Sequence, residues 1–316
     1  MSTFLLLCLL YSPDFHSTYV FKPRKEMGET TTTTTTKSND TNTAPPKVKF
    51  ALFDLDGCLY PIENGYAPSL VKFYSFSINF SFLTNRYEHA CRERVFEFMV
   101  SELGYEDIAT AKATWREVFS IYNQTLKSLR VLGHGDFKKE EYWEFTRGDC
   151  SLHLEADEMV RECLEKMSGF PKFVLTNCAE TEAKQALKTL NILDQFDHVY
   201  GADFMGDTCK PSKEAFSKVL RDIQRRMRKK TNDDNNNEEM EDNTIQKPFE
   251  NDDEVFMFED SLKNLVSAKD NFNITGVLIK GKTLAEENGA EIAKRFIQID
   301  KPVLSELMEK APSLFA

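Results

Sequence analysis

Histidine is scarce in this sequence: His16, His89, His134, His153 and His198 are scattered, with no two at metal-ligand spacing. A histidine-built zinc or iron centre therefore has no basis in the chain. The seven cysteines are an odd number without a C-x-x-C pair, which argues against both a disulfide framework and a cysteine zinc site and points to a reducing compartment. Basic residues are outnumbered, 40 Lys and Arg against 51 Asp and Glu, for a formal net charge of −11. That balance opposes a nucleic acid polymer as partner, because such binding rests on clustered cations. No run is long and apolar enough to span a membrane. The apolar stretch Phe4 to Tyr11 lacks a basic flank and a small-x-small cleavage site, so a cytoplasmic setting is expected, with a targeting segment as the alternative.

What is present is an ordinary apolar fraction of 41%, enough for a sizeable buried core. Two segments stand outside it. Residues 1–47 include the threonine run Thr30 to Thr36, and the acidic stretch at 228–253 is almost without apolar side chains. Neither buries enough surface to offset its ordering entropy, so both are expected to be disordered.

From Val48 onward, short hydrophobic runs read as strands: "VKFALFD", "KFVLT", "HVYG", "VFMFE" and "ITGVLI". Segments with helical spacing lie between the last four. Nearly continuous apolar strands separated by helices predict an α/β fold with a doubly wound parallel sheet covered on both faces. The first strand stands far from the second, and the interval is mostly helical in pattern. The expected plan is a core at 48–60 and 155–300, with a helical cap at 61–154 inserted after the first strand. Within that interval Ala67 to Arg86 alternates apolar residues with Ser and Asn as a strand would, and reads equally as a hairpin or as a separate insertion.

The first strand ends in two carboxylates. Residues i and i+2 of a strand share a side, so Asp54 and Asp56 project together while Leu55 turns away. Their mutual repulsion in a poorly solvated place costs several kcal/mol unless cations or protons compensate (about that order). The ends of other predicted strands bring Thr176 and Asn177, Lys210 before a proline, and Glu259 with Asp260. In an open α/β sheet such ends converge on one crevice. Clustered carboxylates with one lysine favour Mg²⁺, a hard ion completed by a substrate phosphate, with Thr176 and Lys210 on the phosphate oxygens.

The motifs "DLDGCLY", "LTN", "KP" and "FEDS" stand in the order and spacing of the haloacid-dehalogenase-like superfamily, which the chain resembles from Val48 to about Lys282. Within that span "LYPIENGY", "YNQTLKSLRVLG" and "EYWEFTRG" resemble the cap of the plant and fungal pyrimidine 5′-nucleotidase-like group. The resemblance implies a Rossmann-like core of strand order 3-2-1-4-5. It implies that Asp54 attacks phosphorus and that Asp56 shuttles the proton. Asp54, Asp56 through its carbonyl, Asp260 and Glu259 would hold Mg²⁺, and Thr176, Asn177 and Lys210 would hold the phosphate. The implied activity is hydrolysis of a small phosphomonoester, first a pyrimidine nucleoside 5′-monophosphate (UMP or CMP). A sugar-phosphate phosphatase or phosphomutase, or a catalytically silent binding protein of the same fold, are the alternatives.

Other residues read as structural. Cys58, Cys178 and Cys209 lie beside three motifs and are expected to be small packing groups rather than oxidation sensors. Tyr122, Thr125, Arg130 and Arg147 are cap residues with two readings, facing the substrate leaving group or lying at the surface or in packing, and as isolated residues on helical patterns the second is expected. The pattern specifies no oligomeric state.

Overall fold

The computed structural model describes residues 48–60, 87–230, 248–251, 254–279, 287–299 and 304–315. The chain divides into Met1–Thr43, outside the described residues, and Ala44–Ala316, which contains everything that follows. The expected disorder of 1–47 and the strand-like stretch at 67–86 also lie outside the described residues.

In chain order the elements are β1 (Phe50–Phe53), α1 (Tyr87–Ser101), α2 (Ile108–Tyr122), α3 (Thr125–Val131), α4 (Lys139–Arg147), α5 (Glu158–Lys166), β2 (Lys172–Leu175), α6 (Glu180–Thr189), β3 (His198–Tyr200), α7 (Ala202–Met205), α8 (Lys213–Lys230), β4 (Val255–Glu259), α9 (Leu262–Phe272), β5 (Thr275–Ile279), α10 (Glu287–Ala293), β6 (Ile297–Ile299) and α11 (Leu304–Lys310). The strands form one parallel sheet in the order β3-β2-β1-β4-β5-β6. The doubly wound sheet follows the expected order, with β6 added at one edge.

Burial on both faces explains the continuous apolar strands. On β1, Ala51 and Phe53 join one core with Val174, Phe256, Phe258 and Leu187, while Phe50 and Leu52 join a second with Phe173, Met257, Phe216 and Leu265. Successive side chains point to opposite faces, so both faces need apolar residues. Helix α8 covers the second face with Ala215, Phe216, Val219, Leu220 and Ile223, all fully buried at helical spacing. Helices α1 to α4 gather a third core around Val95, Phe98, Met99, Leu129, Tyr142 and Trp143.

Three boundaries differ from expectation. Helix α8 runs through Lys230, into the stretch expected to be disordered from Arg228. Inside that same stretch Phe249 is buried: its ring centroid lies 5.9 Å from that of Phe50, and its N–H donates to Phe272 O at 2.9 Å. The core also extends past residue 300, because Leu307, Ala311 and Leu314 pack into it.

Register sets the site. Phe53 pairs with Phe258, their rings stacked at 4.3 Å, and Asp54 N–H donates to Phe258 O at 2.9 Å. The next residues, Asp54 and Glu259, are thereby held side by side. Replacing Phe258 by Ala removes a fully buried ring at that register and is expected to cost about 3–5 kcal/mol in urea denaturation; a loss below about 1 kcal/mol would mean the ring stack does not hold the two strands.

Candidate active site

Lys210 is the centre of the arrangement. It is 1% exposed, and its Nζ lies 2.9 Å from Asp54 Oδ1 and 2.7 Å from Glu259 Oε2. Burial alone would drive the ammonium toward neutrality, but the two carboxylates outweigh it and hold Lys210 above its ordinary range. Its backbone is fixed as firmly: Lys210 N–H donates to Asn177 Oδ1 at 2.9 Å and Lys210 O accepts from Asn177 Nδ2 at 3.1 Å.

Asp54, Glu259 and Asp260 place one carboxylate oxygen each within 4.8 Å of one another. Burial, then Glu259, then Asp56 push the Asp54 carboxyl well above the usual range, against the pull of Lys210. Burial followed by Glu259 and Asp54 does the same to Asp260. Glu259 goes the other way, since Lys210 and hydrogen bonds from its neighbours outweigh its burial. Its Oε1 accepts from Ser261 N–H at 3.1 Å and its Oε2 from Asn264 Nδ2 at 2.9 Å. Fully ionised, as metal binding requires, the three carboxylates against one ammonium would carry two uncompensated negative charges, which is why Asp54 and Asp260 are pushed up without an ion. An all-oxygen donor set with that deficit fits a hard divalent cation.

Asp56 has different company. Arg147, 6% exposed at the end of α4, donates from Nη2 to Asp56 Oδ1 at 2.7 Å and from Nη1 to Oδ2 at 3.2 Å. The Tyr60 hydroxyl also donates to Oδ1. Burial opposes ionisation of Asp56, but Arg147 outweighs it and lowers the carboxyl below its ordinary range. Gly57, at φ 78°, takes the left-handed turn that carries the chain away between these residues.

Thr176, 1% exposed, accepts from Cys178 N–H at 3.1 Å. Asn177 was expected among the phosphate ligands, but its side-chain amide is committed to backbone groups. Besides clamping Lys210 it donates to Asn123 O at 3.0 Å, and the main-chain carbonyl of Asn177 accepts from Gln124 Nε2 at 2.9 Å. Asn123 closes α2 in the left-handed conformation, so the turn into α3 is docked directly onto the strand end of β2. A strand-end asparagine reads as a ligand in sequence; only the fold shows its donors and acceptor already matched to main chain.

These residues open into a cavity of about 680 Å³ lined also by Arg92, Trp115, Phe119, Trp143 and Lys263. Of the four cap residues expected at the surface or in packing, Thr125 and Arg147 line this cavity. Tyr122 and Arg130 do not, and Arg130 is exposed beside Asp207. Arg147, read from sequence first as a surface or packing residue, is the one of the four that meets Asp56. The signal was faint: an arginine one turn after Trp143, directly before a helix-ending glycine. Cys58, Cys178 and Cys209 are buried with thiols pushed up by burial, in keeping with packing groups. No described helix is long and apolar enough to cross a membrane.

A cation that binds this cluster stabilises the fold, by about 2.7 kcal/mol at one hundred times its dissociation constant. The melting temperature is therefore expected to rise between EDTA and saturating MgCl₂, and the rise to vanish in Asp260→Asn. An identical melting temperature in both buffers would contradict a divalent-cation site.

The family model described as haloacid dehalogenase-like hydrolase matches residues 48–270. No curated protein matches the sequence. Among solved structures, L-2-haloacid dehalogenase from Xanthobacter autotrophicus is 13% identical, with 84% of this chain and 99% of that one covered at a TM-score of 0.41. A haloacid dehalogenase-like family hydrolase from Streptococcus pneumoniae is 14% identical over 81% and 95% of the two chains at 0.42. A predicted phosphatase from Clostridium acetobutylicum is 15% identical over 80% and 94% at 0.42. The family assignment rests on the sequence match, which spans all four motifs: the chain belongs to the haloacid dehalogenase-like hydrolases.

Proposed function

We propose that this hydrolase is a Mg²⁺-dependent phosphomonoesterase that works through an aspartyl phosphate on Asp54, with a pyrimidine nucleoside 5′-monophosphate, UMP or CMP, as substrate. One observation carries the reading: the two carboxylates at the end of β1 have separate partners. Asp54 sits in the acidic cluster with Lys210, and Asp56 is held apart by Arg147 and Tyr60. Two acids with different partners can take two roles in sequence, nucleophile and proton shuttle.

Asp54, Asp260 and the Asp56 carbonyl would hold the ion, with Glu259 acting directly or through a water. When bound, Mg²⁺ supplies positive charge that offsets the phosphoryl oxygens. Asp54 bonds to phosphorus as the bond to the leaving oxygen breaks, and Asp56 gives that oxygen its proton. Asp56 then takes a proton from the water that attacks phosphorus, and the aspartyl bond breaks to release phosphate. Thr176 and Lys210 hold phosphate oxygens throughout, Lys210 as a charge fixed by its backbone clamp. A halide leaves without a proton, so a second acid beside the nucleophile favours ester hydrolysis over dehalogenation. For the leaving group, the cavity has the size of a small-molecule site, and the stacked rings of Trp115 and Phe119, 4.4 Å apart, offer a shelf for a planar base.

Phosphate release over UMP, CMP, ribose 5-phosphate and glucose 6-phosphate is the test. Turnover is expected to be fastest with the two nucleotides and lost in EDTA. Asp54→Asn is expected to lower kcat by more than about a thousandfold, and Asp56→Asn by about 10²–10⁴. Sugar phosphates clearly outrunning UMP and CMP would remove the substrate assignment, and equal activity of Asp54→Asn would remove the nucleophile.

A further inference from the structure

Between the reacting acids and the aromatic shelf lies a charged pair that the hydrolytic steps do not use. Glu88, in the first turn of α1, and Arg92, one turn further on, both line the cavity. Arg92 Nη2 donates to Glu88 Oε1 at 2.8 Å. Helix α1 fixes where this pair sits. Tyr87, just before Glu88, holds its ring 5.9 Å from that of Tyr60 and 4.9 Å from the guanidinium carbon of Arg147, the two partners of Asp56. Further along, the guanidinium carbon of Arg92 lies 5.9 Å from the centre of the Trp115 ring. The helix rises about 7.5 Å from Tyr87 to Arg92. The pair therefore occupies the stretch between the acids and the rings, the place of the sugar in a nucleotide whose phosphate and base sit at the two ends.

Glu88 is short of donors there. An i, i+4 pair on an open helix face has water for its remaining lone pairs, but among the described residues Glu88 Oε2 is buried without a hydrogen-bond partner. Burial, with the charge of Asp56 in support, accordingly raises its carboxyl against the pull of Arg92. The side chain is not sealed off, since 23% of it stays exposed where the cavity reaches it. Arg92 already matches the charge of Glu88, so the missing partner is a neutral donor. A sugar hydroxyl answers to that, once the carboxylate turns about its last bond.

We propose that Glu88 is a specificity-determining residue: it accepts hydrogen bonds from the ribose hydroxyls of the substrate and selects ribonucleotides over 2′-deoxyribonucleotides, with Arg92 holding its carboxylate in place. This rests on the phosphomonoesterase reading above. Glu88 touches no reacting atom, so the selectivity follows the sugar, whatever base is attached.

The test is a matched set of substrates, UMP against dUMP and ribose 5-phosphate against 2-deoxyribose 5-phosphate, with kcat and KM measured separately in saturating MgCl₂. The parent is expected to favour UMP over dUMP by at least about tenfold in kcat/KM, because a site that bonds a hydroxyl rejects the analogue without it. The two sugar phosphates are expected to show the same preference. In Glu88→Ala the UMP to dUMP ratio is expected to fall to about two or less, whereas a merely structural role would lower both substrates together and leave the ratio intact. Glu88→Gln, which keeps the shape and one acceptor oxygen, is expected to retain part of the preference and serves where Glu88→Ala does not fold. A ratio near one in the parent, or one that survives Glu88→Ala, would overturn this inference and leave the phosphomonoesterase reading standing. Where sugar phosphates outrun the nucleotides, the base assignment falls and the ribose to deoxyribose ratio decides this inference in the same way. Phosphate release from none of the four substrates would overturn both.

Discussion

A single buried ammonium makes the rest of this site physically tolerable. Lys210, itself buried, touches Asp54 and Glu259 at under 3 Å at the floor of the cavity. Without it, three carboxylates would face one another with no permanent positive partner. Removing one member of such a buried network is strongly destabilising, because the remaining charges keep their desolvation cost and lose their compensation. With Lys210 in place the deficit falls to two charges, the amount a divalent cation brings. Compensation of charge, rather than attraction between chosen pairs, is what the strand ends have been assembled to achieve.

The sheet supplies the precision that this requires. Because β1 sits between β2 and β4 in a parallel ladder, the ends of three strands reach the same edge with Thr176, Asp54 and Glu259. Lys210 comes from the loop before α8 and is held to this edge by Asn177. The same side chain holds the α2–α3 turn through Asn123. Asn177 therefore ties the helical layer, the β2 end and the lysine loop together with three hydrogen bonds, each worth a modest net amount of about 1 kcal/mol but all dependent on one geometry.

Much of this was legible in the chain. The five strand-like runs from Val48 onward became strands because buried parallel strands must be apolar on both faces, a pattern that survives without any tertiary information. β6 was not legible: Ile297–Ile299 is three residues long, with Gln298 between its isoleucines, and at the sheet edge it needs no continuous apolar run. Phe249 was hidden for a related reason, as a lone aromatic in a polar stretch whose burial depends on Phe50 far away in sequence. In the site, the acids and Lys210 were readable because strand-end position and charge together constrain them. Arg147 was not, since nothing local distinguishes a helix-end arginine that meets water from one that turns inward. Asn177 was found by position, but its clamp was not legible, because the same amide that could bind a ligand oxygen serves equally well to tie backbone groups together.

The central claim is that Asp54 becomes covalently attached to phosphorus. Mass spectrometry of the parent, acid-quenched during turnover of UMP with MgCl₂, tests it most directly. A phosphoryl adduct is expected on the peptide that contains Asp54, localised to that residue and absent from Asp56→Asn only if that variant also fails to react. Turnover that proceeds with no adduct at Asp54, or with the adduct on another residue, would contradict the account.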